Sequence, residues 1–300
     1  MKVGIIGAGS IGLLFASYIS RVFEVAIYTR TAKQAQEINK NGIILRKGEE
    51  EKVTMVKAQP FSLWQGTEDV TIIAVKQYQL PSIIEKINLL SVMPDHFLFL
   101  QNGMGHLKLL EEIGANHLYV GSIEHGALKE NSYTVSHNGN GVTNVAVFKG
   151  DTITLQQFSS AFTREFPMSF QEDFYPMLEK KLIVNAVINP LTALLQVKNG
   201  VLIANPFYYQ AVRNIFAEIS FILNLEQSDE YLQLVIDICK NTADNRSSML
   251  KDMEANRLTE VDAILGYLLD EARRQEKQAP QISNLYHFIK GNELEREEVL

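Results

Sequence analysis

A glycine-rich turn near the N-terminus restricts the fold more than any other feature of the chain. The turn reads Gly7-Ala8-Gly9-Ser10-Ile11-Gly12, and it lies between a short apolar strand pattern, Lys2–Gly7, and a helical pattern from Leu13 to about Ser20. Glycines with this spacing allow a tight turn, the approach of a pyrophosphate to the backbone, and close packing of the helix on the strand. A purely structural turn is the alternative. Because the turn lies within a strand–helix–strand unit, we expect it to bind a dinucleotide through backbone N–H groups and the positive end of the helix.

The rest of the first half alternates between strand and helix patterns. Further strands are predicted at Glu24–Tyr28, Val70–Val75, His96–Leu100 and Leu118–Ser122. Alternation on this scale predicts a doubly wound parallel sheet with right-handed crossovers. Residues 132–148 alternate differently, in the manner of antiparallel strands joined by a turn at His137–Gly141.

The second half is almost entirely helical in period. Asp173 is a plausible N-cap for a long helix over Phe174–Leu195, and four further helices are predicted near 205–223, 228–243, 259–274 and 281–290. We therefore predict a Rossmann-like α/β domain over residues 1–170 and an all-α domain over residues 171–300. The charged tail from Glu293 to Leu300 is expected to be solvated.

Composition excludes several classes of protein. The 300 residues are 46% hydrophobic and 21% charged, and the net charge of −7 argues against a protein devoted to nucleic acid. The single cysteine, Cys239, excludes a disulfide framework, and no histidine pair has metal-ligand spacing with a carboxylate, so no metal is expected. Glycines interrupt the apolar stretch from Val3 to Ile19, and no other stretch approaches the roughly 18 apolar residues of a membrane span. These features favour a cytoplasmic protein without a membrane segment.

The end of the second strand indicates which dinucleotide is bound. A site for NAD usually places an Asp or Glu there to hold the ribose 2′-hydroxyl, but this chain reads Tyr28-Thr29-Arg30-Thr31. Arg30 can hold a 2′-phosphate and stack on adenine, although an ordinary surface arginine is the alternative. We therefore expect the cofactor to be NADP(H).

Several further motifs follow in order: Ala74-Val75-Lys76, Leu100-Gln-Asn102-Gly103, Lys181-Leu-Ile-Val-Asn185-Ala-Val-Ile-Asn189-Pro-Leu-Thr192, Ser247-Ser-Met-Leu250 and Thr259-Glu-Val-Asp262. With the glycine turn and Arg30, they resemble the ketopantoate reductase (2-dehydropantoate 2-reductase) family from residue 2 to about residue 290. The resemblance implies reduction of 2-dehydropantoate to pantoate with NADPH, in pantothenate and coenzyme A biosynthesis. It also implies closure of the two domains on substrate, with hinges near residues 168–173 and the nicotinamide in the cleft between domains.

The resemblance assigns roles residue by residue. Gly7, Ala8, Gly9, Ser10, Ile11, Gly12, Arg30 and Lys76 fall on cofactor positions, with Lys76 on the 2′-phosphate side. Asn102 falls near both the nicotinamide and the substrate. Lys181 matches the catalytic lysine, while Asn185, Asn189, Ser248 and Glu260 match positions that bind or orient the keto acid.

The chemistry of these residue types agrees with the assignment. Reduction of a 2-oxo acid needs a proton donor for the developing alkoxide, which a lysine ammonium can stabilise and then protonate. Lys181, Asn185 and Asn189 recur every four residues and so share one helix face. Read without the family, Lys181 resembles a solvated partner of Lys180, Glu260 a dipole-favouring residue in a first helical turn, and Ser247 or Ser248 a local backbone cap. His125 and His137 are interpreted as structural.

Two departures from the family pattern leave more than one substrate compatible with the sequence. Leu265 stands where the family more often has asparagine, and Asn245-Arg246 precedes Ser247 where a small hydroxyl residue is commoner. The alternatives are a reductase of a different small 2-oxo acid on the same fold and a non-catalytic protein that senses NADP(H). Helical second domains of this type often pair, so a homodimer is also open, although no heptad seam is evident.

Overall fold

The computed structural model of the chain describes residues 1–162 and 164–297. It divides into two compact units. The first comprises Met1–Gln101 with Leu107–Met177, and the second comprises Asn102–His106 with Leu178–Leu300. The short turn Asn102–His106 thus packs with the helical unit, although it lies within the sequence of the other.

The described part of the chain contains strands and helices in the following order. The strands are β1 (Lys2–Ile6), β2 (Glu24–Thr29), β3 (Ile43–Lys47), β4 (Glu50–Thr54), β5 (Lys57–Pro60), β6 (Val70–Ile73), β7 (His96–Phe99), β8 (His117–Ile123), β9 (Gly126–Lys129), β10 (Thr134–Gly139), β11 (Thr143–Lys149) and β12 (Met168–Phe170). The helices are α1 (Ser10–Ile19), α2 (Ala32–Asn41), α3 (Leu80–Asn88), α4 (Leu107–Leu110), α5 (Ile153–Ser160), α6 (Phe174–Leu195), α7 (Val201–Ala204), α8 (Pro206–Leu223), α9 (Ser228–Asn241), α10 (Ser248–Glu254), α11 (Tyr267–Arg274) and α12 (Pro280–Glu297).

The larger sheet of the first unit has the strand order β12-β11-β8-β7-β6-β1-β2-β5. Its strands run parallel except where β11 meets β8. The central strand β1 is apolar on both faces, and Val3 and Ile5 are completely buried, as expected for a strand covered on both sides. The chain moves outward from β1 toward β2 and then resumes on the other side at β6. This reversal is the switch point where open α/β sheets bind ligands, and the predicted fold class is confirmed.

A smaller sheet of four strands, in the order β4-β3-β10-β9, packs against α1. The prediction of one antiparallel pair over residues 132–148 is wrong. Strand β10 pairs with β9 and β3, whereas β11 pairs with β8 and β12, so the two lie in different sheets. Alternation revealed the strands, but it carried no information about their partners.

Helices form the second unit. Helix α6 has the predicted bounds, and Asp173 accepts a hydrogen bond from the Tyr175 N–H at 2.8 Å, as a cap should. Helix α8 buries one apolar face against α9, α11 and α12. Within the part of the chain that the structure describes, no helix is long and apolar enough to cross a membrane.

The expectation of a solvated tail is wrong for Glu293. Helix α12 continues to Glu297, and Glu293 is only 7% exposed. It lies on the same buried face of the helix as Ile282 and Ile289. Residues 298–300 of the predicted tail lie outside the described residues.

Candidate functional site

The glycine turn adopts a geometry that suits a bound dinucleotide. Gly7 has a φ of +107°, in the region that favours glycine, and a Cβ on Gly12 would lie 1.7 Å from the Gly7 carbonyl oxygen. A Cβ on Gly9 would meet nothing within 4 Å. Gly7 and Gly12 are therefore needed by the protein itself, whereas Gly9 leaves free space beside the start of α1. The residues present fit a nucleotide phosphate group in that space.

The predicted cofactor residues Arg30 and Lys76 follow two strands that flank β1. Arg30 is exposed at the carboxyl end of β2, and Lys76 is half-buried three residues after β6 ends. Because β6, β1 and β2 are parallel neighbours, their carboxyl ends share one edge of the sheet with the glycine turn. The structure thus places the glycine turn, Arg30 and Lys76 at the same edge.

The carbonyl of Ala8, inside the glycine turn, accepts two side-chain hydrogen bonds. The Gln34 amide donates to this oxygen at 2.9 Å, and the Lys129 ammonium also donates to it at 2.9 Å. Gln34 donates to the carbonyl of Ser132 as well, at 2.8 Å. Both donors were missed from the sequence: Lys129 comes from the smaller sheet, and no local pattern connects it with a turn 121 residues earlier.

The second unit brings Asn102 and Glu260 together. The Asn102 Nδ2 donates to Glu260 Oε2 at 2.7 Å, although 158 residues separate them. The turn that carries Asn102 docks closely: the N–H groups of Met104 and Gly105 both donate to the Ala263 carbonyl at 3.3 Å. A Cβ on Gly103 would lie 2.2 Å from that same oxygen. Close backbone packing therefore holds Asn102 in place.

Glu260 lies two residues before an unusual stretch of helix. Residues Asp262–Gly266 form a π-helix that leads into α11. Such wide turns are frequent at functional sites, where they direct side chains away from regular helical positions. The Ala263 carbonyl that receives the Asn102–His106 turn belongs to this stretch, so the irregular helix and the docked turn form one structure.

Helix α6 carries the predicted lysine and the two amides. Lys181 and Asn185 are half-buried, and Asn189 is buried at 6% exposure. The Asn189 Nδ2 donates to the Ser248 hydroxyl at 3.5 Å, which joins α6 to the start of α10. The neighbouring Lys180 is exposed, so the two adjacent lysines have different environments.

Two family models match the chain: "Ketopantoate reductase PanE/ApbA" over residues 3–150 and "Ketopantoate reductase PanE/ApbA C terminal" over residues 173–293. The chain belongs to the ketopantoate reductase family. It is accordingly an oxidoreductase, and membership indicates a nicotinamide dinucleotide as cofactor.

Individual relatives agree with the family models over nearly the whole chain. The 2-dehydropantoate 2-reductase of Bacillus subtilis is 41% identical over 297 residues, which cover 98% of each protein. The crystal structure of the Bacillus subtilis panE protein matches with a TM-score of 0.89 at 40% identity, covering 97% of this chain and 100% of that one. A ternary structure of D-mandelate dehydrogenase with NADH and anilino(oxo)acetate has a TM-score of 0.91 at 21% identity and covers 99% of both chains, which shows a shared fold.

The two serines of the family motif separate into different roles. Ser247 is the N-cap of α10: its hydroxyl accepts from the Leu250 N–H at 3.1 Å and from the Thr192 hydroxyl at 2.7 Å. Ser248 is exposed and faces Asn189. The local-cap interpretation therefore fits Ser247, which leaves Ser248 as the member of the pair that is available to a ligand.

A buried carboxylate supports the segment that carries Glu260. Oε1 of Glu293 accepts from the Thr259 N–H at 2.7 Å and from the Thr259 hydroxyl at 2.6 Å, and its Oε2 lies 2.9 Å from the Lys290 ammonium. Sequence reasoning missed this contact. The spacing of Glu293 from Ile282 and Ile289 was the available signal, because residues four and eleven positions apart share a helix face.

The residues that depart from the family pattern lie in different environments. Leu265 is completely buried, whereas Asn245 and Arg246 are exposed. The Arg246 guanidinium donates to Glu254 at 3.1 Å, within the loop and helix that carry Ser248. An effect of Leu265 on ligand choice would thus act through packing in the core of the second unit.

The histidines considered in the sequence form a buried cluster in the first unit. His137 lies between the Tyr18 hydroxyl, 2.8 Å from its Nδ1, and Nδ1 of His125, 3.2 Å from its Nε2. Burial lowers the pKa of His125 to about 4, with the nearby His137 as a second cause. Neutral imidazoles packed with Phe166 and Tyr18 fit a structural role. Over residues 1–162 and 164–297, no group of three or more His, Cys, Asp or Glu side chains could hold a metal ion.

Proposed function

We propose that this protein reduces 2-dehydropantoate to pantoate, with NADPH as reductant and Lys181 as proton donor. The observation that carries the proposal is the hydrogen bond between Asn102 and Glu260. It joins two residues of separate family motifs within the unit that also contains Lys181, Asn185 and Asn189. The names of the relatives support 2-dehydropantoate as substrate.

The reaction adds a hydride to the keto carbon and a proton to the keto oxygen. NADPH, when bound, supplies the hydride. The Lys181 ammonium donates a hydrogen bond to the keto oxygen, stabilises the negative charge that develops there, and then transfers its proton to give the hydroxyl group. Lys181 recovers a proton from water before the next cycle.

Neutral amides and a hydroxyl group hold the substrate. Asn185 and Asn189 follow Lys181 by four and eight residues and so lie on the same face of α6. The Ser248 hydroxyl accepts a hydrogen bond from Asn189. Amide N–H groups donate to the substrate carboxylate, and amide oxygens accept from its hydroxyl group. Because these groups bind the substrate carboxylate without an ion pair, Lys181 remains available for the keto oxygen.

Glu260 orients other groups in this arrangement. Its Oε2 accepts from Asn102, which fixes the direction of the Asn102 amide. The carboxylate also offers an acceptor for a substrate hydroxyl group.

Choice of NADPH over NADH rests on the end of β2. Arg30 occupies the place of the acid that an NAD site uses, and among the described residues β2 is followed by no carboxylate before α2 begins. A guanidinium there attracts a 2′-phosphate, and it gives no acceptor to a free 2′-hydroxyl.

The test is NADPH oxidation followed at 340 nm with 2-dehydropantoate, a panel of other 2-oxo acids, and NADH in parallel. We expect turnover of 2-dehydropantoate with NADPH to exceed every other combination. Faster turnover of another acid would change the assigned substrate but leave the mechanism intact. The panel is included because Leu265, which departs from the family pattern, is buried in the second unit. Tight NADPH binding without turnover of any acid would contradict the proposed reductase activity and favour a protein that senses NADP(H).

A further inference from the structure

Lys129 brings a second positive charge to the glycine turn. It is the last residue of β9 in the smaller sheet, and its ammonium lies 2.9 Å from the Ala8 carbonyl oxygen. Strands β3, β9 and β10 pack against α1, the helix that the glycine turn opens. The smaller sheet therefore carries Lys129 to the part of the first unit where the dinucleotide motif lies.

The turn does not depend on Lys129 for its own hydrogen bonding. The Ala8 carbonyl also accepts from the neutral amide of Gln34 at 2.9 Å. Gln34 is itself held by its bond to the Ser132 carbonyl. A methionine or glutamine at position 129 would leave the Ala8 oxygen with a partner, so the charge of Lys129 is not explained by support of the turn.

Two cations, Arg30 and Lys129, lie near each other here, and the carboxylate of Glu37 partly offsets the effect of Arg30 on Lys129. The Arg30 guanidinium is close enough to lower the pKa of Lys129, in addition to the larger effect of partial burial. Over the described residues, neither Arg30 nor Lys129 forms an ion pair with a carboxylate within 4.0 Å. Like charges placed together repel, and an anion between them removes that repulsion.

The position favours one phosphate of the cofactor over the others. The pyrophosphate of a dinucleotide lies at the helix N-terminus, against the N–H groups that follow Gly9. The adenosine ribose lies instead beside the end of the second strand, where Arg30 stands. Lys129 shares the Ala8 carbonyl with Gln34, which lies in the first turn of α2, four residues after Arg30. This shared contact places Lys129 on the ribose side.

We propose that Lys129 binds the 2′-phosphate of NADPH together with Arg30 and so contributes to selection of NADPH over NADH. This rests on the proposed function, specifically on NADPH as the cofactor. Lys129 exchanges its bond to the Ala8 carbonyl for a charge-assisted bond to a phosphate oxygen, and Gln34 retains the carbonyl.

The experiment measures binding of two fragments by titration calorimetry: adenosine 2′,5′-bisphosphate and adenosine 5′-monophosphate, which differ only in the 2′-phosphate. Lys129→Met is expected to weaken binding of the bisphosphate roughly tenfold and to leave binding of the monophosphate unchanged. Lys129→Arg, which keeps the charge, should restore most of the affinity. Lys57→Met is the matched control, because Lys57 is exposed on β5 at the level of Ala26, toward the opposite end of β2.

The outcomes separate this proposal from the one on which it rests. Equal weakening for both fragments would place Lys129 on a shared phosphate or on turn stability, and an unchanged bisphosphate affinity would remove it from the site; either result overturns the proposal. A wild-type protein that binds both fragments equally would overturn the choice of NADPH as well. Thermal unfolding of each variant, with Lys129→Arg as the second test, separates a binding defect from a folding defect.

Discussion

The amide of Asn102 donates a hydrogen bond of 2.7 Å to the carboxylate of Glu260, and backbone contacts to Ala263 hold the turn that presents it. The pair is a positioned unit, because the fit of Gly103 against the Ala263 carbonyl leaves the turn little freedom. The hydrogen bond thus helps to direct both side chains.

Asn102→Ala and Glu260→Ala are expected to be non-additive in kcat/KM. Each single change should cost about as much as the double change, because loss of either residue removes the hydrogen bond between them, and a coupling of about 0.5–3 kcal/mol is typical of residues in contact. Steady-state kinetics of the two single variants and the double variant measure it. Fully additive losses would show that the two residues act independently.

Lys181→Ala is expected to lower kcat by about 10²–10⁴-fold and to leave NADPH affinity unchanged, because a positioned general acid contributes on that scale. Lys180→Ala is the matched control, since Lys180 is its exposed neighbour on the same helix. Stopped-flow turnover and NADPH fluorescence titration give the two quantities. Equal losses in the two variants would contradict the role of Lys181.

Gly9→Ala and Gly12→Ala should fail in different ways. A methyl group at Gly12 would meet the Gly7 carbonyl at 1.7 Å, so this variant is expected to lose stability. A methyl group at Gly9 meets no atom of the protein within 4 Å, so it should fold normally and occupy space that the cofactor needs. Thermal unfolding and dinucleotide titration of both variants test this. Unchanged NADPH binding by Gly9→Ala would show that the pyrophosphate does not bind beside Gly9.

Acid is expected to destabilise the helical unit through His106. His106 is fully buried, and burial lowers its pKa to about 4 from a usual 6.5. The unfolded chain therefore binds a proton that the folded chain refuses, so the stability is complete above pH 6.5 and falls as pH drops toward 4. At pH 5 the loss is about 2 kcal/mol from this group alone. Urea unfolding at pH 7 and pH 5 should show a smaller acid loss in His106→Met than in the wild type; identical losses would assign the effect to other groups.

Glu293→Ala is expected to destabilise the protein more than Glu293→Gln. The alanine leaves the buried Thr259 N–H unpaired, at a cost of about 1–3 kcal/mol, whereas glutamine keeps an acceptor oxygen in place. Glu295→Ala is the control, because Glu295 is exposed on the same helix. Equal urea midpoints for Glu293→Ala and Glu295→Ala would show that the Glu293 contact does not stabilise the fold.

Local sequence patterns were sufficient for the parallel core and for the motif residues. Strand β1 is apolar on both faces and is followed by a glycine turn, so its place in the sheet could be predicted from a few neighbouring residues. The smaller sheet could not be predicted in this way, because exposed β4 has no apolar face to indicate a strand. The partner of β10 lies about ninety residues earlier, in β3.

Contacts of the site follow the same division. The spacing of Lys181, Asn185 and Asn189 on one helix is visible in the sequence, since periodicity alone places them on a face. The bond from Lys129 to Ala8 and the bond from Glu293 to Thr259 join distant elements. Such contacts depend on tertiary packing, which no local pattern encodes.

The docking of Asn102–His106 on the helical unit has a consequence for dividing or recombining this protein. A fragment that starts at residue 178 would contain the Ala263 carbonyl without the two N–H groups that satisfy it, and it would contain Glu260 without Asn102. A single cut therefore cannot yield a complete helical module. Chimaeras that exchange substrate-binding helices between relatives should transplant residues 102–106 along with residues 178–297, since the two segments form one inherited packing unit.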